Sequence, residues 1–343
     1  MMHKVLSNIR KNGWMALLLM SALLWSCSDN SDYDSETQGD ELWVRGIKSY
    51  AANDIDDDTT IRIFLSSIEE IIDGSVQKVN DNNWRSTIRV NKDTQYYIYG
   101  YMPMESVNSA SVTPLPAGIA KGVVLKLNGV EAVTPSDICV IIGVQDLENR
   151  TDAFNVKKGI FSYVGKDRGK NYANLLLDHL QASIHFELLI DNSYSQLRTI
   201  KVRKAEILAG TGSRYNMTIT LEANTADVSP IKTISYEPTA GETNAEVFTD
   251  DEGCALSPTV PLEFDANYLT LMRSMLSLKT TYDVYDSKGK FIHTRTSINK
   301  LDTAIPETLA RGGRTTLTLT VKPTYLYVLA DPDLNNPTLK IEN

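Results

Sequence analysis

Histidine, cysteine and carboxylate side chains are the groups in this 343-residue chain with chemistry to offer, and their spacing gives them little to do as a catalyst. His3, His179, His185 and His293 form no H-x3-H pair or other ligand spacing, so no metal site is read from them. Asp54, Asp56 and Asp58 alternate like a calcium loop, but Thr59 stands where such a loop needs glycine and Leu65 where it needs glutamate. No nucleophile elbow, phosphate loop or dinucleotide fingerprint occurs. The expectation is a non-enzymatic protein without cofactor or metal. One position remains as a candidate for covalent chemistry on the chain itself, the thiol of Cys27.

Cys27 closes a targeting segment. Lys4, Arg10 and Lys11 precede any acid, and Trp14 to Trp25 are apolar except for Ser21. That stretch is too short for an ordinary membrane-spanning helix, which needs about 20 apolar residues. Residues 1–26 therefore read as a signal peptide. The layout "LLWSC" resembles a bacterial lipobox, which implies acylation of Cys27 and cleavage just before it. Each buried methylene of an acyl chain adds about 0.8 kcal/mol of membrane affinity, and two or three chains make a stable tether. Residues 27–41 are acidic and almost devoid of apolar side chains, so a flexible leash is expected there. An acidic stretch after such a cysteine also resembles the surface-export signal of Bacteroidota lipoproteins.

Removal of residues 1–26 leaves 31 basic and 43 acidic side chains, a net charge of −12. That balance offers no stripe to neutralise phosphates, and nucleic acid is not an expected partner. Cys139 and Cys254 are the remaining thiols, and both are read as unpaired, the first in a buried strand and the second in a loop.

Strand periodicity dominates the chain beyond the leash. In "ASIHFELLID", Ile184, Phe186, Leu188 and Ile190 alternate with His185, Glu187 and Asp191; Met217, Ile219 and Leu221 repeat the pattern, as do Leu317, Leu319 and Val321 among threonines. The chain is expected to be all-β and antiparallel, with few short helices, the best candidates being around 171–179 and from Asn267 onward. The polar stretch 164–174 reads as a connection between a first β-sandwich domain at 42–170 and a second at 171–343.

Three stretches carry a family resemblance: "YYIYGYMP", "LLLDHLQASIHFELLIDNSYSQLRTIKVRKAEI" and "RGGRTTLTLTVKPTYLYVLADPDLNNPTLKIEN". They resemble the fimbrillins of Bacteroidota, the subunits of type V pili. The resemblance implies two transthyretin-like β-sandwich domains in tandem, on a lipoprotein of the outer membrane that is exposed at the cell surface or built into a fimbrium. It also implies partners: other fimbrial subunits joined by β-strand addition, the outer membrane through lipidated Cys27, and a host or bacterial surface ligand if the chain is an adhesin. In the family, cleavage after an arginine near the N-terminus removes a leading strand, and a strand from another subunit fills the groove.

Arg45 and Gly46 in "ELWVRGIKSY" are the candidate cut site. Leu339 and Ile341, two apart in the C-terminal segment 337–343, are the candidate donor side chains. The alternative is a lipid-anchored surface glycan-binding protein, for which Trp43, Trp84 and the tyrosines of the 96–101 strand would have to offer exposed rings to sugars.

Overall fold

The computed structural model describes residues 39–49, 59–68, 70–80, 83–146, 161–223 and 229–322. The described residues from Asp40 onward form one compact unit. Its first strands are β1 (Asp40–Ser49), β2 (Ile61–Ser66), β3 (Ile71–Asn80), β4 (Asn83–Val90) and β5 (Gln95–Met102). There follow β6 (Ser109–Pro114), β7 (Gly122–Glu131), β8 (Val133–Thr134), β9 (Cys139–Asp146), β10 (Ser162–Val164) and β11 (Tyr172–His179). The remainder is β12 (Ala182–Ile190), β13 (Arg198–Thr211), β14 (Arg214–Glu222), β15 (Ile231–Thr239), β16 (Glu242–Ala255), β17 (Leu262–Tyr268), β18 (Ser277–Asp286), β19 (Phe291–Lys300) and β20 (Arg314–Val321).

The first sheet closes on itself. Its order is β10-β5-β2-β3-β4-β1-β11-β9, and β9 returns to β5 through Tyr101 opposite Val140 and Met102 opposite Cys139. Seven strands thus make a ring, with β10 added outside it on β5. The ring's core includes Leu42, Val44, Ile61, Ile63, Leu65, Trp84, Ile88, Ile98, Ile141, Leu175 and Leu177. β4 shows how sequence dictates this. Trp84, Ser86, Ile88 and Val90 are buried while Arg85, Thr87 and Arg89 face water. Gly100 sits where β5 passes between β2 and β9. A Cβ there would overlap the Arg62 carbonyl oxygen and lie 2.9 Å from Ile141 Cδ1, so only glycine fits.

Among the described residues, three four-stranded sheets make the rest: β20-β12-β17-β8, β16-β13-β18-β19 and β15-β14-β7-β6. A second, larger core joins them to the outward faces of the ring, where Phe64, Tyr99, Tyr101, Val140, Ile142 and Leu176 pack with Ile184, Phe186, Ile207, Met217 and Ile219. β9 and β11 are therefore buried on both sides.

That double burial corrects the helix expected around 171–179. "NLLLDH" is strand β11, and its run of leucines reflects two apolar faces rather than helical spacing. The second expected helix is the end of β17 followed by a 3-10 turn at Thr270–Met275. Cys254, expected in a loop, lies in β16 opposite Val202.

The alternating stretches 184–190, 217–221 and 317–321 are strands β12, β14 and β20 with the expected alternate residues turned inward, though β12 and β20 pair in parallel where antiparallel strands were expected. The polar stretch 164–174 joins β10 to β11 within one sheet, closed by the Lys170 N–H donating to the Asp167 carbonyl. Ladders also cross the expected division at residue 170, since β1 pairs with β11 and β7 with β14.

Candidate functional site

β1 has an unusual place in the ring. It runs antiparallel to β4 and parallel to β11, the one parallel pair in that sheet's described ladders. Its inward side chains, Leu42 and Val44, are 0% exposed. The outward side is held by polar and aromatic contacts at the surface. Arg85 Nε donates to Glu41 Oε2 at 2.6 Å, and its other arm pairs with Glu41 Oε1. This hydrogen bond holds the Glu41 carboxyl below, and the Arg85 guanidinium above, their ordinary pKa values. Trp43 packs on Tyr172 at 6.2 Å between centroids, and the Trp43 backbone N–H donates to the Asn171 backbone carbonyl at 2.7 Å.

Arg45 marks the point where the strand's pairing changes. The last partner pair with β4 is Val44 with Trp84, and the β11 register slips between Val44 and Gly46, leaving Arg45 opposite no residue in either ladder. The exposed Arg45 side chain lies over the Tyr172 ring, 4.1 Å from its centroid, and its Nε donates to Asn83 Oδ1 at 3.2 Å. From Gly46 to Ser49 only the β11 ladder continues, opposite Asn174 to Leu177. A break of the Arg45–Gly46 bond would thus divide β1 into a half that carries Leu42 and Val44 and pairs with β4, its Trp43 and Val44 also with β11, and a half paired with β11 alone.

Of the residues singled out by sequence, Arg45 and Gly46 are in β1, while Cys27, Leu339 and Ile341 lie outside the described residues, as do Asp54, Asp56 and Asp58. Trp84, a required ring for sugar stacking, is buried in the core at 6% exposure, and Tyr99 and Tyr101 are buried as well. Burial pushes the Tyr99 hydroxyl well above its ordinary pKa, and that hydroxyl donates to the Ile119 carbonyl at 2.7 Å.

A cluster missed by sequence reasoning lies at the far end of β11. Cys139 and His179 stand opposite each other in the β9–β11 ladder, with Sγ 3.4 Å from Nδ1. Asp137 Oδ2 meets the same Nδ1 and lies 3.6 Å from Sγ. Burial, and then the Asp137 charge, push the Cys139 thiol far up. Forty residues separate the two strands' contributions. Only the strand pairing brings them together, so no local spacing could show it.

A second group, His185, Glu187 and Glu263, is more open to solvent. His185 Nδ1 there lies 3.0 Å from Asp265, which Arg314 also pairs at 3.0 Å. These are ordinary cross-strand polar contacts. The two described cysteines are free thiols, as expected.

No family model matches the chain, and no curated protein matches it. Solved structures do. A candidate cell adhesion protein from Bacteroides uniformis matches over 84% of this chain and 93% of its own, at 11% identity and TM-score 0.39. A fimbrial protein from Bacteroides vulgatus matches over 82% and 95%, at 15% identity and TM-score 0.29. The fimbrial anchor protein Mfa2 from Porphyromonas gingivalis matches over 82% and 90%, at 10% identity and TM-score 0.27.

Proposed function

We propose that this chain is a subunit of a surface fimbrium, or a closely related adhesin, that is exported as a lipoprotein through Cys27 and assembled by strand exchange at β1. The reading rests on the family resemblance of the sequence and on one observation, the setting of β1. In this reading the all-β chain consists of two transthyretin-like units, acts without catalysis, and works at the outer surface of the cell.

The physical logic is β-augmentation. Cleavage after Arg45 frees Asp40–Arg45 together with the lipid anchor upstream. Loss of that half strand exposes the edges of β4 and β11 and empties the two sites of Leu42 and Val44. An exposed slot of this kind invites another strand, because unpaired N–H and C=O groups and vacated apolar sites are both unfavourable in water. The segment 337–343 suits the vacancy by pattern. Its Leu339 and Ile341 are two apart, as are Leu42 and Val44, so alternate side chains of one strand would reach both sites.

The test is deletion of residues 337–343 in the producing cells. Surface polymers should disappear while the monomer keeps its melting temperature. Undiminished polymerisation by a folded truncated chain would overturn the donor assignment.

A further inference from the structure

We propose that Asp137, Cys139 and His179 form a zinc-binding site that ties β9 to the end of β11. The three residues offer an oxygen, a sulfur and a nitrogen, the donor set that zinc accepts in proteins. They are also preorganised by the fold. Cys139 and His179 are a cross-strand pair, and Asp137 sits two residues before Cys139 in the approach to β9.

The distances from the sulfur fit those around a bound cation. With Zn–S near 2.3 Å and Zn–N or Zn–O near 2.0–2.1 Å, a tetrahedral ion places sulfur roughly 3.5 Å from each of the other two donors. The sulfur lies 3.4 Å from His179 Nδ1 and 3.6 Å from Asp137 Oδ2. The third edge, Asp137 to His179, is shorter than a hydrogen bond and must open to admit an ion. Asp137 can supply that movement, since its side chain is 15% exposed where His179 is 2% exposed.

A second observation points the same way. Asp137 Oδ1 is buried and has no hydrogen-bond partner, an unfavourable state for half of a carboxylate. A cation at Oδ2 neutralises the charge that this oxygen shares. Binding replaces the Cys139 S–H bond with an S–Zn bond, and the proton leaves to solvent. His179 binds through Nδ1 as the neutral ring, with its proton on Nε2. Water completes the fourth position.

The site has a definite place in the architecture. β1 pairs with β11 as far as Leu177, and His179 lies two residues beyond. Zinc would lock the β9–β11 register just past the end of β1. Metal binding there does not depend on strand exchange.

The experiment uses the full chain carrying Cys27→Ser and Cys254→Ser, which leaves Cys139 as its single thiol. After chelator treatment and gel filtration, zinc is added at micromolar free concentration and bound metal is counted; cobalt is used in parallel for its spectrum. One zinc per chain is expected, with a rise in melting temperature and, for cobalt, a thiolate-to-metal charge-transfer band. Adding Cys139→Ser or His179→Gln should remove all three signals, and His185→Gln should leave them. The parent's cobalt spectrum needs no further variant to fold, so misfolding of a variant leaves the test intact. Absence of metal uptake by the parent, or uptake without the thiolate band, would overturn the assignment.

Discussion

The guanidinium of Arg45 rests 4.1 Å from the centroid of the Tyr172 ring at the residue where β1 loses its partner β4. A cut after Arg45 would thereby be separated from core packing. The arginine is exposed and unmatched in both ladders, while the side chains that hold the strand, Leu42 and Val44, lie just before it and point inward.

Replacement of Arg45 should therefore affect processing far more than folding. Arg45→Gln removes an exposed cation–π contact worth about 0.5–1 kcal/mol and a surface hydrogen bond. The melting temperature should fall by only a few degrees. Immunoblots of surface material should show the unprocessed chain alone and no polymers.

Leu42 is the opposite case. Leu42→Ala should cost about 2–5 kcal/mol, since the side chain is fully enclosed and leaves a cavity. Denaturant unfolding of the full chain measures this. A chain begun at Gly46, which lacks Leu42 and Val44, should gain stability on addition of a peptide of residues 337–343. The full chain should gain none.

Gly100→Ala should disrupt closure of the ring. The added methyl collides with the Arg62 carbonyl in the backbone, which cannot turn aside as a side chain would. A lower unfolding midpoint, with loss of amide protection in β5 and β9 together, is the expected result.

Glu206 sets a pH dependence. The side chain lies 2.9 Å from Lys279 and 3.2 Å from Lys204, and the Lys279 hydrogen bond holds its pKa below the ordinary 4.5. A carboxyl depressed by folding stabilises the fold above its unfolded value and loses that contribution as pH falls through the folded value. Glu206→Gln should therefore lower the melting temperature at pH 7, by about 1 kcal/mol or less in stability. The difference should vanish in strong acid.

The sequence made some of this legible and hid the rest for identifiable reasons. Alternation at Ile184–Ile190 and Tyr215–Leu221 marked strands because each has one enclosed face and one facing out. Leu175, Leu176 and Leu177 carried no such signal, because β11 is enclosed on both faces and its apolar run reads equally well as helix. Arg45 stood out through its place after the acidic stretch. The bulge beneath it did not, since a bulge depends on the registers of β4 and β11. Cys139 and His179 looked unrelated in sequence, and only the β9–β11 ladder makes them neighbours.

The most direct measurement is the N-terminal residue of the subunits recovered from surface polymers, read by terminal peptide analysis and intact mass. Gly46 is the expected terminus, with no acyl chain. Assembled subunits that still begin at an acylated Cys27 and retain Leu42 and Val44 would contradict strand exchange at β1.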